Sequence, residues 1–175
     1  MTIYVALLHS IVLGPGKRLV MSDLRAMAQE LGFGDPRTLA ATGNLIFEAE
    51  EAPLGEIEAR LETAFSARFG KHVDILLRTA DAWKQVAAKN PFPDGNGQDV
   101  GIRVMRRPLG HEVLPKLMAL AAPDIRIDIV DGDLWVDFSG KPSETKLLSH
   151  LTTKKLGIGT LRNANTVKAL AAMLD

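Results

Sequence analysis

Thr2-Ile3-Tyr4-Val5-Ala6-Leu7-Leu8 is apolar on both of its faces. In an extended chain side chains alternate, so Ile3, Val5 and Leu7 point one way and Tyr4, Ala6 and Leu8 the other. Such a strand belongs inside a sheet that is covered on both sides. His9 and Ser10 end the run well short of the roughly 20 apolar residues that cross a bilayer, and no basic segment precedes it, so it reads as a buried strand and neither a signal nor a membrane span.

Outward from this strand, Gly14-Pro15-Gly16-Lys17-Arg18 is expected to be a loop. A helix follows in which Leu24, Met27, Ala28 and Leu31 share one face, with Ser22 as its N-cap and Gly32 as its stop. Two strands, about Arg37 to Ala41 and Asn44 to Ala49, flank a Thr42-Gly43 turn. A second helix after Pro53 places Ile57, Leu61, Ala64 and Phe65 on one face and stops near Gly70, and Val73 to Arg78 is a further strand. The order βαββαβ is the ferredoxin-like pattern. Its helices cover one face of the sheet, so the apolar second face of the first strand predicts another cover, either the second half of the chain or a partner subunit.

From Thr79 a helix of about ten residues leads into Asn90-Pro91-Phe92-Pro93-Asp94-Gly95-Asn96-Gly97, the densest group of turn formers in the chain. The expected organisation is therefore a ferredoxin-like α+β domain over residues 1–78, a connecting helix and linker over 79–97, and a second α+β domain over 98–175, closely packed on the first. The second half reads as strand (Val100 to Met105), helix (His111 to Ala121), strands (Ile125 to Val130 and Leu134 to Phe138) and helices (Ser143 to Leu156 and Asn165 to Leu174), a βαββαα order. Asp131-Gly132 is the hairpin signal between its middle strands.

The 175 residues are 46% hydrophobic, enough for a core without staples, and 21 basic side chains balance 21 acidic ones. With no cysteine, thiol nucleophiles, disulfides and iron–sulfur ligation are excluded, and the expected location is cytoplasmic. Charge is uneven: residues 1–97 carry 10 basic and 12 acidic side chains and residues 98–140 carry 5 and 7, whereas residues 141–175 carry 6 basic ones (Lys141, Lys146, Lys154, Lys155, Arg162, Lys168) against Glu144 and Asp175. Nucleic-acid binding would have to use that last stretch, because affinity follows the number of phosphates neutralised.

Two segments could hold an anion. Gly14 to Arg18 joins a strand to a helix, where backbone N–H groups and a helix start favour negative charge. It lacks the Walker spacing, with Ile11 and Arg18 at the glycine and hydroxyl positions, and the dinucleotide fingerprint, with Leu19 at the third glycine. Arg162, Asn163, Asn165 and Thr166 gather at the start of the last helix, and Asn163 or Asn165 would cap it. The candidate ligand-binding residues are thus Lys17, Arg18, Arg162, Asn163, Asn165 and Thr166.

Other chemistries find no support. Asp128, Asp131, Asp133 and Asp137 lack the EF-hand ladder, and no serine has the Gly-x-Ser-x-Gly context. His9, His72, His111 and His150 are scattered with no His-Glu-x-x-His motif, so a metal site would need distant residues to converge. No catalytic residue, metal or cofactor is assigned. Ile3 to Leu8 and Gly43 to Glu48 are placed like RNA-recognition motifs but offer too few aromatics to stack bases.

Tyr4-Val5-Ala6-Leu7-Leu8, Met21-Ser22-Asp23-Leu24-Arg25, Glu30-Leu31-Gly32-Phe33, Thr42-Gly43-Asn44-Leu45-Ile46-Phe47, Asn90-Pro91-Phe92-Pro93, Lys154-Lys155-Leu156-Gly157 and Arg162-Asn163-Ala164-Asn165-Thr166-Val167 together resemble the domain of unknown function 1697 family, found mainly in bacteria. The blocks occur in family order along nearly the whole chain. The resemblance implies a ferredoxin-like N-terminal half joined to a second α+β half, and no established activity. Two places depart from the family pattern: His9 to Pro15 stands where an Arg-Gly-Ile-Asn-Val-Gly-Gly stretch is usual, and Ala164 where a tryptophan is usual. If these places form a shared site, this chain lacks an arginine, an asparagine and an indole there.

The expected function is a binding or interaction module for a small anionic ligand or a protein partner, with the anion site between the loop after the first strand and the start of the last helix. Nucleic-acid binding through the basic C-terminal stretch is an alternative, not favoured. An enzyme acting on a phosphorylated or carboxylated small molecule is another, and no membrane is involved.

Overall fold

The computed structural model describes residues 1–175 and divides into two units, Met1–Trp83 with Leu174 and Lys84–Met173 with Asp175. The first contains β1 (Thr2–Leu8), β2 (Val12–Gly14), β3 (Lys17–Arg18), α1 (Met21–Glu30), β4 (Gly34–Leu39), β5 (Asn44–Ala49), α2 (Leu54–Phe69) and β6 (Ile75–Thr79). Its main sheet has the order β4-β5-β1-β6 with every neighbour antiparallel. The doubly apolar strand is therefore an inner strand. On one face Tyr4, Ala6 and Leu8 join Phe47 and Leu77 of the sheet and Leu24, Met27, Ile57, Leu61 and Phe65 of the two helices in one core. Phe33 stacks on Phe47 at 4.4 Å between centroids, and Tyr4 follows at 5.7 Å, with its hydroxyl accepting the Ala52 N–H. On the opposite face Val5, Leu7, Ile46 and Leu76 are equally buried. At roughly 1.5–3 kcal/mol for each fully buried large side chain, the two faces of this sheet dominate the unit's stabilisation.

Helix α2 also closes the sheet's edge. Glu58 and Glu62, one turn apart, accept the N–H groups of Leu77 and Ile75 at 3.0 and 2.9 Å, so an edge strand is paired to a helix by carboxylates.

Several local features differ from the sequence reading. The stretch Gly14 to Arg18 is not an open loop: Pro15 and Gly16 turn a two-stranded hairpin, and Lys17 and Arg18 form its second strand. The N-cap of α1 is Val20, without a side-chain bond, and Ser22 lies inside the helix. Gly32, at φ 84°, follows the helix end as expected of a left-handed stop.

The second unit contains β7 (Val100–Met105), α4 (Val113–Leu120), β8 (Arg126–Val130), β9 (Asp133–Asp137), 3-10 turns at Pro142–Glu144 and Lys146–His150, α5 (Thr153–Leu156), β10 (Gly159–Asn163) and α6 (Ala164–Ala172). Between the units' main elements runs α3 (Ala80–Ala88), within which they divide. The expected βαββαα order is corrected here. The single helix over 143–156 is broken into two 3-10 turns and one short helix, and a fourth strand, β10, precedes α6. Its alternate residues Thr160 and Arg162 are polar, which hides the strand from an apolar-periodicity reading. The sheet order is β10-β7-β9-β8, all antiparallel. Taken in chain order, the four main strands of each unit lie second-third-first-fourth across the sheet, so the two units share one topology. Leu134, Val136 and Phe138 pack with Leu117, Ile129, Leu147 and Leu151 as this unit's core. The Asp131-Gly132 turn, with φ of 51° and 85°, links β8 to β9 as expected. No helix is long and apolar enough to cross a membrane.

Gly43 ends the β4–β5 turn at φ 84°, and an added Cβ would stand 2.9 Å from Leu8 Cβ and 3.1 Å from Ile11 Cγ2. Gly16 has a similar φ of 67° in open space. Gly43→Ala should therefore cost about 2–3 kcal/mol and Gly16→Ala about 1 kcal/mol, measured by urea unfolding of the two variants side by side.

Candidate functional site

In the second unit a cavity of about 390 Å³ opens between the Asn90–Gly97 turn and the first turn of α6. The turn is built by side chains folding onto their own backbone. Asn90 Oδ1 accepts the Phe92 N–H at 2.8 Å, Asn96 Oδ1 accepts the Gln98 N–H at 3.0 Å, and Gly95 N–H donates to Phe92 O. One arginine holds it to the sheet. Arg126 donates to Asp137 at 2.6 Å and to Asp94 at 3.2 Å, and its guanidinium lies over the Phe92 ring at 4.7 Å. The bond to Asp137, more than that to Asp94, raises the Arg126 pKa.

The other wall is the start of α6. Asn163 caps the helix, its Oδ1 accepting the Thr166 N–H at 2.8 Å, and the Asn165 N–H donates to Gly97 O at 3.3 Å. Gly97 is required by this approach, since a Cβ there would collide with the Asn165 side-chain oxygen. Asn165 and, three residues on, Lys168 face the cavity with Asn90, and Trp135 of β9 also contributes to its lining. Ala164, where the resemblance implies a tryptophan, is part of the lining too, and its small side chain keeps the space open. The lining includes one lysine and two amides and no carboxylate. A larger cavity in this unit is of mixed sign, with Asp124 and Glu144 beside Lys141 and Lys146.

The six residues singled out in the sequence thus have different surroundings. Lys17 and Arg18 are exposed on the hairpin of the first unit. Arg162 of β10 is buried, its guanidinium donating to Thr160 Oγ1 at 2.8 Å and Leu161 O at 2.9 Å, and burial pulls its pKa down to about 10. Asn163 and Thr166 bond to each other and shape the helix start. Asn165 alone among the six lines the cavity. Asn90, Trp135 and Lys168 are additions of the fold, although the i, i+3 spacing of Asn165 and Lys168 marks one helix face.

A second buried cation lies on the other side of the same sheet. Arg103 of β7 donates to Gly157 O at 2.9 Å across the end of α5, its Nε has no hydrogen-bond partner, and burial lowers its pKa.

Comparison with known proteins places the chain in a family. A solved structure described as that of conserved bacterial protein SP0830 from Streptococcus pneumoniae is similar over 99% of both chains, with a TM-score of 0.77 and 21% identity, a likeness of fold. No curated protein matches the chain. The family described as "Protein of unknown function (DUF1697)" matches residues 1–135. The chain, an α+β protein of two topologically equivalent units, belongs to the DUF1697 family.

Proposed function

We propose that this protein is a cytoplasmic binding module whose second unit takes a small ligand through a carboxylate or phosphate group. The observation that carries this reading is the cavity beside α6: it is lined by Asn90, Asn165 and Lys168 and by no acidic side chain. Three contributions of one sign act there. The Lys168 ammonium supplies a full charge, the Asn165 and Asn90 amides supply donors, and the first turn of α6 supplies the positive end of a helix dipole. Trp135 offers an apolar wall for the rest of the ligand. Asn163 and Thr166 position the helix start, and Arg162 adds a buried positive charge to the strand that leads into it. Lys17 and Arg18 belong to the reading as exposed basic residues of the first unit's hairpin.

The test is a thermal-shift screen of the full chain against inorganic phosphate, sugar phosphates, nucleotides and organic acids, because a ligand that binds the native state raises the melting temperature. At least one anionic class should give a saturable shift. Asn165→Ala and Lys168→Met should each weaken that ligand by about three- to tenfold, as expected for the loss of one charge-assisted contact near the surface. Ala164→Trp, which fills the cavity, should abolish the shift while leaving the ligand-free protein folded. Lys17→Ala with Arg18→Ala measures the contribution of the hairpin. An anion whose affinity is unchanged by Asn165→Ala, Lys168→Met and Ala164→Trp would refute the site, as would the absence of a shift with every anion tested.

A further inference from the structure

The first unit carries a cluster that the anion reading does not use. Helix α2 ends at Phe69, and Gly70, at φ 72°, reverses the chain so that residues 71–74 run back along the helix before β6 begins. The reversal brings His72 and Asp74 beside Glu62, two helical turns before the helix end. One ligand atom from each of the three residues lies within 4.8 Å of the others.

We propose that Glu62, His72 and Asp74 form a binding site for a divalent transition-metal ion, of which Zn²⁺ is the probe of choice. The donors are an imidazole nitrogen and two carboxylates, which suit Zn²⁺, Ni²⁺ or Co²⁺ and disfavour the purely oxygen-seeking Mg²⁺ and Ca²⁺. Two of the three are held in place by backbone bonds. Glu62 Oε2 accepts the Ile75 N–H at 2.9 Å, and the Asp74 carbonyl accepts the His9 N–H at 2.9 Å, extending the β1–β6 pairing. His72 Nε2 stands 2.9 Å from Asp74 Oδ1. That separation suits a hydrogen bond; in the tetrahedral geometry usual for Zn²⁺ two ligands at about 2.1 Å from the ion are roughly 3.4 Å apart, so an ion replaces the shared proton once the pair spreads by about half an ångström. The site opens onto a surface hollow edged by Thr63 and Ser66, which leaves further coordination positions to water. The exposed imidazole, whose side chain is 63% accessible, has room to turn toward an ion.

Calorimetric titration of the full chain with ZnCl₂, together with ¹⁵N spectra of the histidine rings, tests this assignment. Wild type should bind one equivalent, with the His72 ring signals shifting and the melting temperature rising. His72→Ala and Asp74→Asn should each lower the affinity about tenfold or more. Because His72 is exposed, His72→Ala should melt like the metal-free wild type, which separates a lost ligand from a lost fold. His150→Ala, a control histidine on the other unit, should bind as wild type does, and millimolar Mg²⁺ should not displace Zn²⁺. Three results would overturn the proposal: no saturable one-to-one binding, binding undiminished in both His72→Ala and Asp74→Asn, or a shift of the other histidine rings in place of His72.

Discussion

Burial of β1 on both faces is the constraint on which the rest of the first unit depends. A strand hydrogen-bonded on both sides and apolar above and below leaves no edge and no face for water, so every neighbour is fixed by it. Pairing with β5 sets Tyr4 opposite Phe47 and places both in the helix-covered core, where Phe33 extends the ring stack. Pairing with β6 sets Ala6 opposite Leu77 and Leu7 opposite Leu76. A slip of one residue would exchange the two faces and break both registers together. The carboxylates of Glu58 and Glu62 then finish what β1 begins, by joining α2 to the outer edge of β6.

The second unit uses the same topology with a different chemistry. Its inner strand β7 presents Val100, Ile102 and Val104 on one face, but the other carries Gly101 and the buried Arg103. The strand beside it, β10, brings Arg162 inward as well. Placing two guanidinium groups inside one small unit costs desolvation, seen in the lowered pKa of each. Backbone and hydroxyl acceptors offset that cost: Gly157 O for Arg103, and Thr160 Oγ1 and Leu161 O for Arg162. The unit thereby keeps positive charge near the start of α6, where the open cavity also lies without a carboxylate in its lining.

Much of this architecture is legible in the sequence, and the exceptions have physical causes. Continuous apolar runs such as Tyr4 to Leu8, and amphipathic faces such as Ile57, Leu61 and Phe65, mark their elements because burial selects one residue type at a regular period. Strand β10 shows no such period, since its inward residues are Thr160 and Arg162 and its pairing with β7 spans more than fifty residues. Between Ser143 and Leu156 the leucines recur at helical spacing, yet the chain forms two 3-10 turns and one short helix that deliver the same side chains to the core. The hairpin of Val12 to Arg18 has strands too short for any pattern. In the candidate sites, a cap at Asn163 or Asn165 is readable from residue type and position, and the fold uses Asn163. The juxtaposition of Asn90 with Asn165 is not readable, because it depends on Gly97 admitting the Asn165 side chain. Nor is that of Glu62 with His72 and Asp74, which requires knowing that Gly70 turns the chain back along its own helix.

The central claim is that the cavity between the Asn90–Gly97 turn and α6 is where this protein meets an anion. A ¹H–¹⁵N titration of the labelled full chain with inorganic phosphate, followed by simple carboxylates, tests it at residue level. The account predicts saturable shifts centred on the backbone amides of Gly97, Ala164 and Asn165, the Asn90 and Asn165 side-chain amides and the Trp135 indole. Saturable shifts confined to other parts of the chain, or none from any of these anions, would contradict it.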